Sequence, residues 1–175
     1  MYAGQVPLER ALPMWAGLST SGVGEILIHE TKKCQVDEWV KAVGSEKMSA
    51  ALKTCQPRNR RGPWLLLTDG EKFLASKAAK AAYKEEGITV LTIPPRSPDC
   101  NPIEKFWGWL RRELKRRDLL DLQKKRPALG KTAYRQRVRA VLRQQKAQAV
   151  AKRYATDMTR VCKAIVKSKG RAVKG

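Results

Sequence analysis

The sequence has one histidine, His29, and its four cysteines, Cys34, Cys55, Cys100 and Cys162, form no C-x-x-C pair. A structural zinc site draws on closely spaced Cys and His ligands, so that class is excluded. No apolar run approaches bilayer-spanning length, and no basic-then-apolar leader opens the chain. Scattered cysteines of this kind lead to an expectation of reduced thiols, in the nucleus of a eukaryotic host or the cytoplasm of a bacterial one. The sharpest shortage is of acids in the second half. Residues 105–175 hold 4 Asp/Glu against 23 Lys/Arg, whereas residues 1–104 hold 12 against 14.

What is present suits a folded chain. At 175 residues and 42% hydrophobic content, one domain with its own core is expected. Almost all of the net charge of +21 falls after residue 104. A nearly neutral front half joined to a basic back half points to a polyanionic partner, most simply nucleic acid. On charge alone, a solvated basic surface or a ribosomal-type extension stays open.

Pattern supplies the elements. Residues 13–18 and 25–28 read as strands joined through a turn at Ser19–Gly22, hence a hairpin. Val36, Trp39, Val40 and Val43 fall at helical spacing, which predicts a helix from Val36 to Leu52. Gln56 to Gly62 is polar and basic and reads as a loop. Trp64-Leu65-Leu66-Leu67 is a continuous apolar run, expected of a strand covered on both faces. A helix through Leu74, Ala78, Ala81 and Ala82 stops near Gly87, and Ile88 to Ile93 is a second β-branched strand. Strand, helix and strand in that span make a βαβ unit with parallel strands, so hairpin and unit together predict one mixed sheet. Asn101 to Arg117 then reads as a helix with Ile103, Trp107, Leu110 and Leu114 on one face. Two basic helices follow, one with Tyr134, Val138, Val141 and Leu142, the other with Tyr154, Met158, Val161 and Ile165.

Two acids occupy positions suited to chemistry. Asp69 follows the most buried-looking strand, at the carboxyl end where open α/β sheets place their sites. Taken alone, Asp69-Gly70 reads as a turn. Glu104 taken alone reads as the third residue of a capping box begun at Asn101, with Pro102 at the first helical position.

The combination changes the weight of both. The stretch Ser97-Pro98-Asp99-Cys100-Asn101-Pro102-Ile103-Glu104, continuing to Trp107 and Leu110, closely resembles the S-P-D-L-N-P-I-E-x-x-W-x-x-L signature of mariner-superfamily DDE transposases. Pro94-Pro95 before it matches the family's P-P-Y-S-P, with Arg96 in place of the aromatic. Residues 70–103 separate Asp69 from Glu104, giving the 34-residue gap of the family's second and third acids. Gly70 departs from the family's Asn and leaves the carboxylate in place. Met14–Leu18 resembles the family's V-W-G-G-I strand, and Val166–Gly170 its short basic ending.

The resemblance implies an α/β, RNase H-like mixed sheet lacking its first strand, with basic C-terminal helices. Residues 1–122 would form the partial catalytic domain and 123–175 a basic helical C-terminal extension of it. It implies metal-dependent DNA cleavage and strand transfer, with Asp69 and Glu104 as catalytic residues holding Mg²⁺ or Mn²⁺. Asp99, in the Ser-Pro-Asp turn, is expected to stabilise that turn. Lys105, Arg111, Arg112, Lys115 and Arg116, with Arg117, are expected to neutralise DNA phosphates, and Trp109 to contact the partner. Trp107 shares the apolar stripe and is expected in the core. The family's first acid precedes the strand resembled by Met14–Leu18. Ahead of Met14 the sole acid is Glu9, without a matching context, so an incomplete site, largely sequence-independent DNA binding and possible self-association are expected. A non-catalytic nucleic-acid-binding remnant or domesticated transposase is the rival expectation.

Overall fold

Alternation along Met14–Ser19 places the middle layer of the molecule. In this computed structural model, which describes residues 12–28, 34–55, 64–94 and 97–169, that segment is β1. It pairs antiparallel with β2 (Gly22–Ile28) through a two-residue turn. Side chains of successive strand residues point to opposite faces. Trp15 faces one core, and Met14, Ala16 and Leu18 face another. The expected loop at 56–62, like Glu9, His29, Pro95, Arg96 and Gly170, lies outside the described residues.

The first core is built by α1 (Val36–Val43), α2 (Glu46–Cys55), α3 (Lys77–Glu85) and one face of a second sheet. The expected helix from Val36 to Leu52 is divided between α1 and α2. Gly44 ends α1, and the Ser45 hydroxyl donates to the Ala42 carbonyl and accepts from the Met48 N–H, so it closes one helix and starts the next. Helix α1 also opens on a complete capping box, with the Gln35 N–H donating to Glu38 at 2.9 Å. Trp39 is buried with its ring 4.7 Å from Trp15, and Phe73 stands edge-on to both. The Trp39 indole N–H donates to the Tyr83 hydroxyl of α3 at 2.6 Å. Burial pushes the Tyr83 phenol above its ordinary pKa, against the lowering effect of that bond.

The second sheet is the expected βαβ unit. Strands β3 (Trp64–Thr68) and β4 (Ile88–Thr92) pair in parallel, joined by α3, and Gly87 ends α3 at φ 63°. The two sheets remain separate, two strands each, instead of one mixed sheet. The arrangement is α/β and consistent with an RNase H-like fold that lacks a full sheet. Coverage of β3 also departs from expectation. Trp64, Leu66, Ile88 and Val90 pack on the first core, but Leu65, Leu67 and Leu91 are 51%, 42% and 47% exposed. The helices that could cover that outer face lie on the hairpin instead.

Those helices are α4 (Pro102–Gln123), α5 (Lys131–Leu142) and α6 (Gln145–Lys167). Phe106, Leu110, Leu114, Val138, Val141, Leu142, Ala147 and Ala151 form the second core with Ala16 and Val23. Helix α4 continues six residues past the expected Arg117. It ends in a Schellman turn: Lys125 takes the left-handed position at φ 52°, and the Arg126 N–H donates to the Asp121 carbonyl. Half-buried Met158, Val161 and Ile165 mark the distal part of α6, beyond its well-buried first turns.

Gln148 closes one edge of the hairpin. Its amide accepts from the Val23 N–H and donates to the Val23 carbonyl, both at 2.9 Å, reproducing with a side chain the two bonds a neighbouring strand would make. Gly22 permits this approach: its φ is 143°, and a Cβ there would fall 2.0 Å from the Gln148 oxygen. Replacing Gln148 by Leu leaves both Val23 groups without their partner. The expected outcome is a loss of about 1–3 kcal/mol in urea unfolding. Unchanged stability would show that water replaces the amide without cost.

Candidate active site and basic helix

Because β3 and β4 are parallel, the chain leaves both at the same end. Asp69 comes one residue after Thr68, and the Ile93 N–H donates to the Thr68 carbonyl at 2.9 Å, drawing the exit of β4 alongside that end. From there the chain makes a short 3₁₀ turn at Pro98–Cys100 and enters α4. In chain order Asp69 directly follows β3, and Glu104 lies in the first turn of the helix that follows β4.

Neither acid does the local job that its sequence context offers. Asp69 is exposed, and its carboxylate has no hydrogen bond or ion pair among the described residues. At α4, Asn101 caps through its side chain, which accepts from the Ile103 N–H at 3.3 Å. The Asn101 N–H donates to the Pro98 carbonyl, so the expected capping box with Glu104 does not form. The contrast with the Gln35–Glu38 box at α1 is direct. Glu104 is exposed with an uncommitted carboxylate near a helix N-terminus, where negative charge is favoured. Asp99 lies in the 3₁₀ turn Pro98–Cys100, where the sequence placed it, as the acid of its first turn. Beside these, the buried Thr68 hydroxyl, 5% exposed, has no hydrogen-bond partner among the described residues.

The kind of donor suits a divalent ion: carboxylate oxygens are hard ligands. The number is short. Among the described residues no group of three or more Asp, Glu, His or Cys comes close enough to hold a metal.

Along α4, Lys105, Arg111, Arg112, Lys115 and Arg116 are all exposed. Trp107 and Trp109 are half-buried and pack on the second core, with the Trp109 ring 5.5 Å from Phe106. Arg116 is also a structural partner. Glu113, only 6% exposed, accepts from Arg116 at 2.8 and 3.1 Å and from Arg117 at 2.9 Å. Arg117 in turn donates to Gln144 between α5 and α6 at 2.8 Å. Arg137 of α5 binds Asp118 at 2.6 Å and also holds Asp121. The Glu113 pairs sit at i+3 and i+4, a spacing legible in the sequence; the Arg137 pairs depend on tertiary packing.

The hydrogen bond from Arg116 is the main cause that pulls the Glu113 carboxyl down to about 2, with Arg117 adding to it against the cost of burial. A carboxyl lowered on folding stabilises fully above its ordinary pKa of 4.5 and loses that contribution as pH falls toward 2. Glu113→Gln is therefore expected to cost about 1–3 kcal/mol at pH 7 and to flatten the melting-temperature decline between these limits. Parallel acid profiles for the two proteins would refute the ion pair as its cause.

No curated protein matches this sequence. The profile of one family, described as DDE superfamily endonuclease, matches residues 16–125. Both the strand end bearing Asp69 and the helix start bearing Glu104 fall within that stretch, which takes in most of the chain, and the protein belongs to the DDE superfamily endonuclease family.

Proposed function

We propose that this chain carries the catalytic domain of a mariner-type DNA transposase, with Asp69 and Glu104 as two of its metal-binding carboxylates. The observation that carries the reading is two exposed acids, one directly after β3 and one in the first turn of α4, inside a family-matched segment. Mg²⁺ or Mn²⁺ ions bound there supply an activated attacking hydroxyl and a stabilised leaving oxygen at the phosphodiester. Asp69 directly follows the β3–β4 ladder, and Glu104 lies in the turn that Asn101 caps, so each carboxylate stands at the edge of an ordered element. The exposed cations of α4 bind the DNA backbone without reading bases. Such a protein works in the nucleus of a eukaryotic host or the cytoplasm of a bacterial one.

A second reading is a non-catalytic nucleic-acid-binding relative of such enzymes, and the exposed cations along α4 favour it. A two-ion displacement depends on its ligands as a unit, so two carboxylates alone give little rate. Two measurements separate the possibilities. Mn²⁺ added to the isotopically labelled chain is expected to broaden amide signals around Asp69 and Glu104 first, and Asp69→Ala to remove that selectivity. Broadening spread evenly over other acids would overturn the metal assignment. In a plasmid-nicking assay with Mn²⁺, this chain is expected to stay at background. Nicking abolished by Asp69→Ala would show the site complete.

The outer face of the β3–β4 sheet bears on assembly. Leu65, Leu67 and Leu91 present apolar surface next to strand edges that the described residues leave unpaired, a combination that favours chain-to-chain pairing. Self-association through this face is expected to appear as a concentration-dependent rise in mass by light scattering, reduced by Leu67→Lys. A mass independent of concentration, or unaffected by that change, would exclude the face.

A further inference from the structure

A cavity of about 480 Å³ lies between the second half of α3 and β4, lined by Lys80, Tyr83, Lys84 and residues 87–90. No residue of β3 lines it, so it opens on the edge of β4 turned away from β3. That edge carries unpaired backbone groups. The Trp64 N–H donates to the Gly87 carbonyl and the Ile93 N–H to the Thr68 carbonyl, so the odd-numbered residues of this stretch bond to β3. Ile88, Val90 and Thr92 therefore direct their N–H and C=O groups outward, where no partner takes them up among the described residues. Lys80 and Lys84 are exposed, and their side chains form no hydrogen bond or ion pair among the described residues. No carboxylate lines the cavity among those residues either, so its rim is positive.

We infer that the outer edge of β4 docks an acidic segment of a partner protein, which pairs there as an added strand and sets alternate carboxylates against Lys80 and Lys84. An open strand edge accepts an extended peptide through main-chain hydrogen bonds, and flanking side chains select its sequence. The spacing of the cations suits a strand. Helix α3 crosses over between the parallel strands and lies along β4, so Lys80 and Lys84, four residues apart, are offset by about 6 Å along it. Side chains on one face of a strand repeat at about 6.6 Å. The matching segment thus has acids at every second position. The residues between them fall on the other face, beside exposed Leu91, where β-branched side chains pack well. Charge also disfavours this chain as its own occupant. Of its stretches outside the described residues, 1–11 holds one acid and one base, Glu9 and Arg10, and the others are basic. A second copy joined edge to edge would bring lysines against lysines. The inference does not depend on the DNA reading.

The probe is a fluorescent peptide in which glutamate alternates with valine and threonine, titrated into the whole chain at concentrations where light scattering shows a monomer. Binding is expected to slow hydrogen exchange at the amides of Ile88, Val90 and Thr92. Lys80→Gln with Lys84→Gln is expected to weaken it about five- to tenfold. Lys152→Gln with Lys163→Gln, which removes the same charge from exposed positions on α6, is expected to change it less than about twofold. Circular dichroism checks the fold of each variant, and Lys80→Arg with Lys84→Arg is expected to keep binding. Methylating alternate backbone nitrogens of the peptide is expected to abolish binding in one phase and spare it in the other, because only one set of its N–H groups faces β4. Equal binding by the two methylated peptides would overturn strand addition and leave general charge attraction. Equal losses in the two lysine variants would overturn the cavity as the site. Slow exchange at these three amides without peptide would show that a segment of this chain or a second copy already holds the edge, and the proposal would fall.

Discussion

Among the described residues the hairpin and the parallel strand pair share no ladder hydrogen bond, so side-chain packing joins them, with Trp15 at its centre. Trp15 comes from the hairpin, Trp39 from α1 and Phe73 from the turn before α3; tilted and edge-on contacts of this kind add to what area burial alone supplies. The hydrogen bond from Trp39 to Tyr83 extends the tie to α3, which carries the chain from β3 to β4. On the same side, Ala51 of α2 lies against Gly24 of β2, where an added Cβ would come within 3.2 Å of it. The position of Asp69 relative to Glu104 passes through this join, since one belongs to the parallel pair and the other to a helix seated on the hairpin.

Charge in the second half of the chain is divided between two duties. Three of its four acids, Glu113, Asp118 and Asp121, are bound to arginines within the fold, and Glu113 does so while buried. A buried carboxylate is tolerated only with such partners. Arg117 and Arg137 thereby serve to hold α4 to α5 and the start of α6. The exposed cations Lys105, Arg111, Arg112 and Lys115 stand elsewhere on α4, so the same helix is anchored by one set of basic residues and presents another.

Much of this was legible. Strand and helix periods located the hairpin, the βαβ unit and the long helix, because each buries one face. The break at Gly44 escaped because apolar spacing runs on across it, while the capping by Ser45 depends on one hydroxyl. Leu65 and Leu67 made β3 look enclosed; sequence records that a residue is apolar, not whether anything covers it. Both candidate acids are singled out by their place in a motif. That Glu104 is left uncommitted follows from where the Asn101 N–H turns, toward Pro98, and no spacing rule reports that. The edge closure by Gln148 joins residues 125 positions apart and had no local signal at all.

Joining two halves through rings rather than through a shared sheet has a consequence for how the molecule opens. A hydrogen-bonded ladder yields cooperatively, several bonds at once, whereas ring contacts can part while each sheet stays intact. The hairpin with its three helices and the parallel pair with α1 and α3 are thus held to each other by side-chain packing, through the aromatic cluster and through α2 seated on β2. Loosening of that packing would change the position of Asp69 relative to Glu104 while leaving both strand ladders whole.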